Sequence, residues 1–276
     1  MFSALDSERI ARSMRPDVDD LQAFYGSRQG QLVRRLVGRQ IRTIWPDLSG
    51  LRLLGTGYAV PFLGPLAEEA ERVCVVMPPG QGVARWPVER ANQVILAADD
   101  ELPLADRSID RVLMVHALES AEQSPRLLRE LWRVLADGGQ ALIVVPNRRG
   151  LWCLSDSTPF GHGRPFSSTQ LKQALRNNLF SPKGTARALF VPPSRSRLLL
   201  RTALVWERIG LRWAKHFSGV LLMAAEKQIY AAPVEPAVKR GRVPAYAAVP
   251  RPLAAAERVA PPPCRTVDQP AAAPGG

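Results

Sequence analysis

Cysteine is scarce in this chain. Cys74, Cys153 and Cys264 are odd in number, far apart and never in a CxxC pair, which excludes a disulfide framework and a zinc ribbon. Histidine is as scarce: His116, His162 and His216 form no metal-ligand spacing. No apolar run approaches the ~18 residues of a membrane span. The first residues, MFSALDSERIARSM, carry charge early and lack the apolar centre of a signal peptide. These absences predict a chain of the reducing cytoplasm, without a membrane span or a resident metal.

Acidic residues are scarce only in places. Residues 1–125 carry 14 Lys/Arg against 17 Asp/Glu, residues 126–215 carry 16 against 4, and residues 216–276 carry 7 against 4. The net charge of +12 therefore sits in one band, mostly as arginine. Such a band could attract nucleic acid, anionic lipid or an acidic substrate; a solvated basic face is the plainer alternative. No RNA- or DNA-binding motif accompanies it. With 46% apolar and 22% charged residues over 276 positions, the chain is globular and long enough for one α/β domain with additions.

What is present is clearest over residues 109–147. An apolar run, 109–115, has the length of a strand buried on both faces. Leu127, Leu128, Leu131, Val134 and Leu135 then recur at helical spacing. Ser124 is suited to cap that helix, Pro125 to open it, and Gly138-Gly139 to end it. Residues 141–145 read as a second buried strand. Strand, helix, strand in so short a stretch is a βαβ unit with parallel strands.

Around it, residues 1–16 read as poorly ordered and 17–45 as helical, divided at Gly26 and Gly30. A breaker cluster at 45–50 leads into the main domain. Strands are expected at 51–54, 72–77 and 93–97, with a helix after the first through Phe62, Leu63 and Leu66. The alternation argues a doubly wound parallel sheet. The polar, Gly/Pro-rich loop 148–166 is long enough to be functional. Ser167 and Gln170 form a capping box for the next helix. A strand at 186–191, a helix at 195–216 with Trp206 and Trp213 in its core face, and a last strand at 220–230 follow. Half of the residues beyond 230 are Ala or Pro, a composition that cannot bury a core. The expected organisation is a helical lid at 1–50, a domain at 51–231 and a disordered tail at 232–276.

The block LPLADRSIDRVLMVHALE…LLRELWRVLADGGQALIVVPN, residues 102–147, resembles the second half of a class I S-adenosylmethionine (SAM)-dependent methyltransferase domain of the type 11 kind. Gly55-Thr56-Gly57 falls where that family has its first glycine loop. The resemblance implies a Rossmann-like seven-stranded mixed sheet, order 3-2-1-4-5-7-6, with the last strand antiparallel. It implies SAM as cofactor and methyl transfer to a small or carrier-bound acceptor. Two family acids are replaced, by Leu53 in the glycine loop and by Met77 at the end of strand 2, and the third glycine is Ala59. These departures keep two alternatives open: a catalytically degenerate binding protein of the same fold, or an RNA-binding or RNA-modifying protein using the basic band.

On that template Gly55, Thr56 and Gly57 would approach the cofactor, Gln81 would replace the missing ribose acceptor, and Asp99 or Asp100 would take the adenine side. His116, just past strand 4, could act as base or orient the acceptor; a structural hydrogen bond in its loop is the alternative. Glu119 reads as a helix-start residue. Asn147 and Arg149 emerge from strand 5 toward the acceptor, where arginine could hold a carboxylate or phosphate. His162 and Arg164 project from a glycine-flanked loop toward the same place. Tyr25 could fold over the site as part of a lid.

Overall fold

The computed structural model describes residues 15–229 apart from 195, 197, 198, 201 and 214. The expected tail lies outside the described residues. Two helices, α1 (Val18–Gly26) and α2 (Arg28–Ile44), precede the sheet. The strands are β1 (Arg52–Gly57), β2 (Arg72–Met77), β3 (Val94–Leu96), β4 (Ile109–Val115), β5 (Leu135–Pro146), β6 (Phe180–Ala188) and β7 (Val220–Lys227). Between them lie α3 (Val60–Ala67), α4 (Ser124–Val134), α5 (Ser168–Asn177) and α6 (Ala203–Trp213).

The strands form one sheet in the order β3-β2-β1-β4-β5-β7-β6. The first five run parallel, and β7 is antiparallel to both β5 and β6. This is the expected seven-stranded mixed Rossmann-like fold. Its two faces are sorted by the alternation of side chains along a strand. Leu53, Val75, Leu113, Val115, Leu142 and Val144 pack toward α1, α2 and α3. Leu54, Val76, Val112, Met114, Ala141 and Ile143 pack the other way, against Leu127, Leu128, Leu131 and Val134 of α4 and Leu171 and Leu175 of α5. Leu53, in place of an acid, is fully buried core on the first face.

Several boundaries differ from the sequence reading. The break between α1 and α2 falls at Ser27, whose side chain caps α2 by accepting from Gly30 N. Gly30 is not a breaker: it lies inside α2, where any Cβ would collide with the backbone of Phe24 and Tyr25. Helix α4 begins at Ser124 without a side-chain cap and ends at Val134 rather than at Gly138-Gly139. Leu135 turns extended because it already pairs with Ile109; residues up to Gln140 bulge out, and Gly138 supplies the positive φ that the bulge needs. Strand β6 runs over Phe180–Ala188 instead of 186–191, since Leu189, at positive φ, turns the chain away from β7. The capping box of Ser167 and Gln170 is present.

Helix α6 is shorter than the expected 195–216 and inverts the expected packing. Its buried residues are Ala203, Glu207 and Gly210. Trp206 and Trp213 face outward, 41% and 80% exposed. The helix sits close because Gly210 lies against the Phe190 ring, and Glu207 accepts from Phe190 N at 2.6 Å.

Candidate active site

Ligands of open α/β sheets bind beyond the carboxyl ends of the strands, beside the switch in strand order. Here that place lies past β1 and β4. Gly57, at the end of β1, has positive φ, and a Cβ on it would strike the Val115 carbonyl and Ala117. Glycine is therefore required for β1 to turn against the start of the β4 loop; Tyr58 N then donates to Val115 O at 2.7 Å. Gly55 leaves room for Leu63 of α3. Met77 closes β2, fully buried, with its Sδ accepting from Ala84 N.

Helix α1 lies over this loop. Val18 N donates to Gln81 O at 2.8 Å, and Arg15 donates to Asp99 at 2.6 Å. Tyr25 reaches the centre. Its ring packs on Tyr58 and Phe62 at 5.7 and 5.8 Å between centroids, and its hydroxyl is 2.9 Å from His116 Nε2. Burial pushes the Tyr25 hydroxyl well above its ordinary pKa, so it stays protonated. The other imidazole nitrogen, Nδ1, is 3.3 Å from Glu119 Oε1. The Tyr25 hydroxyl can donate to Nε2, while Nδ1 and both Glu119 oxygens make no hydrogen bond within the protein. His116 itself holds a left-handed backbone, φ 53°, a sparsely populated state for a residue with a side chain.

The long loop after β5 completes the wall. The Phe160 ring packs tilted against His116, 4.8 Å between centroids. Gly163, again at positive φ, fits directly against Glu119, and Arg164 N donates to Glu119 O at 2.8 Å. That contact explains the glycine beside His162. The imidazole of His162 lines a cavity of about 830 Å³ between this loop and α1, together with Phe24, Thr158 and Pro159. A second cavity, about 540 Å³, opens past β2 and β3, lined by Pro78, Gly80, Asp99, Asp100, Ser120 and Gln123 among others.

The expected site residues separate into two groups. Tyr25, Gly55, Thr56, Gly57, Gln81, Asp99 and His116 converge on the buried centre and its outer rim, with Asp100 on the rim and His162 across the first cavity. Asn147 does not face an acceptor: its side-chain amide donates to His216 O and Ser218 O, tying the end of β5 to the start of β7. Arg149 and Arg164 have exposed side chains. Sequence reasoning missed Glu119 as a site residue. It lies five residues before α4, so it is no helix-start residue, and it is 2% exposed. The spacing His116-x-x-Glu119 was the available signal. Arg15, read as part of a poorly ordered end, instead pairs with Asp99.

Among the described residues, the buried side-chain polar atoms without a protein partner belong to Arg15, Thr56, Gln81, Asp99, His116 and Glu119. An unmet buried polar group costs roughly 1–3 kcal/mol. All of these atoms lie at one end of the sheet, where a polar ligand would meet them. Burial pushes the Asp99 carboxyl up, against the pull of Arg15.

Residues 54–143 match the family model of a methyltransferase domain. Over 151 residues the chain is 31% identical to the biotin biosynthesis bifunctional protein BioHC of Cellvibrio japonicus, covering 52% of this chain and 28% of that protein; the chain thus spans little more than a quarter of the curated relative's length. A SAM-dependent methyltransferase of Thermotoga maritima, a possible histamine N-methyltransferase, aligns over 76% of this chain and 96% of its own, with a TM-score of 0.55 and 19% identity. The 1,6-didemethyltoxoflavin-N1-methyltransferase of Burkholderia thailandensis, solved with 1,6-didemethyltoxoflavin and S-adenosylhomocysteine, aligns over 83% and 92%, with a TM-score of 0.50 and 16% identity. Residues 54–143 thus carry the sequence of a methyltransferase domain, and the strand order is that of the class I SAM-dependent methyltransferase fold. The cofactor of that class is SAM. The unmet polar atoms of Gln81, Asp99 and Thr56 suit its polar groups, whereas the glycine loop is covered by α1.

Proposed function

We propose that this chain transfers a methyl group from SAM to a nucleophilic atom of a small or carrier-bound acceptor. Gln81 would hold the ribose in place of the missing acid, Asp99 and Asp100 the adenine side, and the backbone of Gly55 and Gly57 the amino-acid end. The cofactor supplies an electrophilic methyl group on a sulfonium. The protein supplies position, exclusion of water and a place for the acceptor's proton. Nε2 of His116 is that place, and Glu119 is the residue that orients the ring and stabilises its charge once protonated. Tyr25 occupies the acceptor side of His116 in the closed state, so α1 is a lid that must withdraw before reaction. The cavity containing His162 is the route by which the acceptor enters.

The observation that carries the reading is the buried Tyr25–His116 contact at the carboxyl ends of β1 and β4, with Glu119 Oε1 3.3 Å from the other ring nitrogen. S-adenosylhomocysteine at millimolar concentration should raise the unfolding temperature, because it binds only the folded state. His116→Asn should keep that shift and lose methyl transfer by roughly 10²–10⁴-fold. No thermal shift and no calorimetric heat with either SAM or S-adenosylhomocysteine would overturn the enzyme reading. It would favour the second one, a binding protein of this fold, which Leu53, Met77 and the covered glycine loop support.

A further inference from the structure

Helix α6 buries its small and polar residues and exposes its large apolar ones. Ala203, Glu207 and Gly210, spaced to share one helix face, turn inward. Val205, Trp206, Ile209 and Trp213 are 55%, 41%, 51% and 80% exposed, and Phe217, in the turn that follows, is 62% exposed. An outward stripe of this size is not the scattered single exposure normal for a globular surface.

Charge identifies the occupant. Arg208 and Arg212 lie on the outward side next to Val205 and Ile209, and the Arg212 guanidinium is 6.0 Å from the Trp213 ring centre. Between positions 195 and 217 the sequence has Arg195, Arg197, Arg201, Arg208, Arg212 and Lys215, against one acid, Glu207, which is buried. We propose that α6 lies in the plane of an anionic lipid surface, with its Trp and aliphatic side chains in the headgroup boundary and its arginines on lipid phosphates. This is the composition of an interfacial helix. The helix has 11 residues, too short to span a bilayer, and no described helix is long and apolar enough to do so.

A second copy fits less well. A two-fold contact would set the same patch against itself, bringing Arg208 and Arg212 against like charges. The chain's own C-terminal sequence is no acidic cover either: residues 231–276 carry 6 Lys/Arg against 3 Asp/Glu. The arrangement also has a use. Leu200, just before α6, lines the larger cavity beside the candidate site, so a docked α6 would hold that cavity near the lipid.

The test is flotation of the full chain at low salt with vesicles of phosphatidylcholine alone and of phosphatidylcholine mixed with phosphatidylglycerol. Binding should require phosphatidylglycerol and weaken with added salt. Ile209→Ser combined with Trp213→Ser alters only exposed side chains. It should leave the circular dichroism spectrum and unfolding temperature unchanged and lower the vesicle-bound ratio about tenfold or more. Arg208→Glu with Arg212→Glu should remove the preference for anionic vesicles. Any of three results overturns the proposal: no flotation with anionic vesicles, undiminished flotation of the serine variant, or a solution dimer that the serine variant converts to monomer. Salt-sensitive RNA binding lost in the glutamate variant, without lipid binding, would assign the arginines to nucleic acid instead. None of these outcomes depends on methyl transfer.

Discussion

The two ends of the candidate cleft share one sheet edge and differ in what fills them. Past β2 and β3, polar residues border open space: Asp99, Asp100, Ser120 and Gln123 line a cavity of about 540 Å³. Past β1 and β4, the space is packed with aromatic rings, Tyr25 on Tyr58 and Phe160 on His116. The outer end is ready for a ligand, while the inner end holds the protein's own tyrosine hydroxyl against the candidate base. On the proposed assignment, closure of the inner end by α1 would compete with binding in the cleft. The free energy of the α1 contacts must be subtracted from whatever affinity the site has when open.

Emptying the inner end should have the largest effect. Tyr25→Ala removes a buried ring and should cost about 3–5 kcal/mol in unfolding free energy, yet tighten S-adenosylhomocysteine binding roughly tenfold as the competing closed state is lost. Tyr25→Phe keeps the ring packing, drops the contact with His116, and should cost about 1 kcal/mol. Weaker binding in both variants, by calorimetry, would show that Tyr25 belongs to the binding surface and does not compete with it.

The border between the two ends gives an effect of opposite signs. Gln81 is fully buried with no partner on either side-chain polar atom. Gln81→Met should raise the stability of the ligand-free chain by about 1–2 kcal/mol and weaken S-adenosylhomocysteine binding by roughly a factor of ten. Lower stability with unaltered binding would remove Gln81 from the cofactor site.

The smallest effect belongs to the outer end. Burial raises the Asp99 pKa in the folded chain, so the folded state holds this proton more tightly than the unfolded state. The protonated carboxyl is favoured below the unfolded value, and that advantage is lost as pH rises through the folded pKa. Stability of the wild type relative to Asp99→Asn should therefore increase as pH falls from neutral toward 3.8, the ordinary value. One unit of pKa difference corresponds to about 1.4 kcal/mol. A difference that grows in the opposite direction would mean that Arg15 outweighs burial.

Much of the fold was legible because its signals are local. The apolar run of β4, the heptad-like leucines of α4 and the capping box of α5 each act within a few residues. Two of the misplaced boundaries were decided by pairing with distant strands. Helix α4 ends where Leu135 meets Ile109, and β6 ends where Leu189 turns away from β7. The site was legible in part. Gln81, Asp99 and His116, singled out from the family pattern, and Tyr25, singled out as a lid residue, lie at one end of the sheet, whereas Asn147 is committed to the carbonyls of His216 and Ser218, which no local pattern reveals.

The sequence by itself determined the parallel βαβ core from spacing and residue type, and, through its resemblance to class I methyltransferases, the strand order, the place of the glycine loop and the replacement of its acids. Only the tertiary structure decided that Tyr25 faces His116, that Glu119 lies on the far side of the same ring, and that Trp206 and Trp213 point outward. Those relations join residues tens of positions apart, or depend on which helix face finds room. Gly210 lets α6 approach Phe190 closely, with Glu207 bonded to the Phe190 amide, so its larger side chains are left outside.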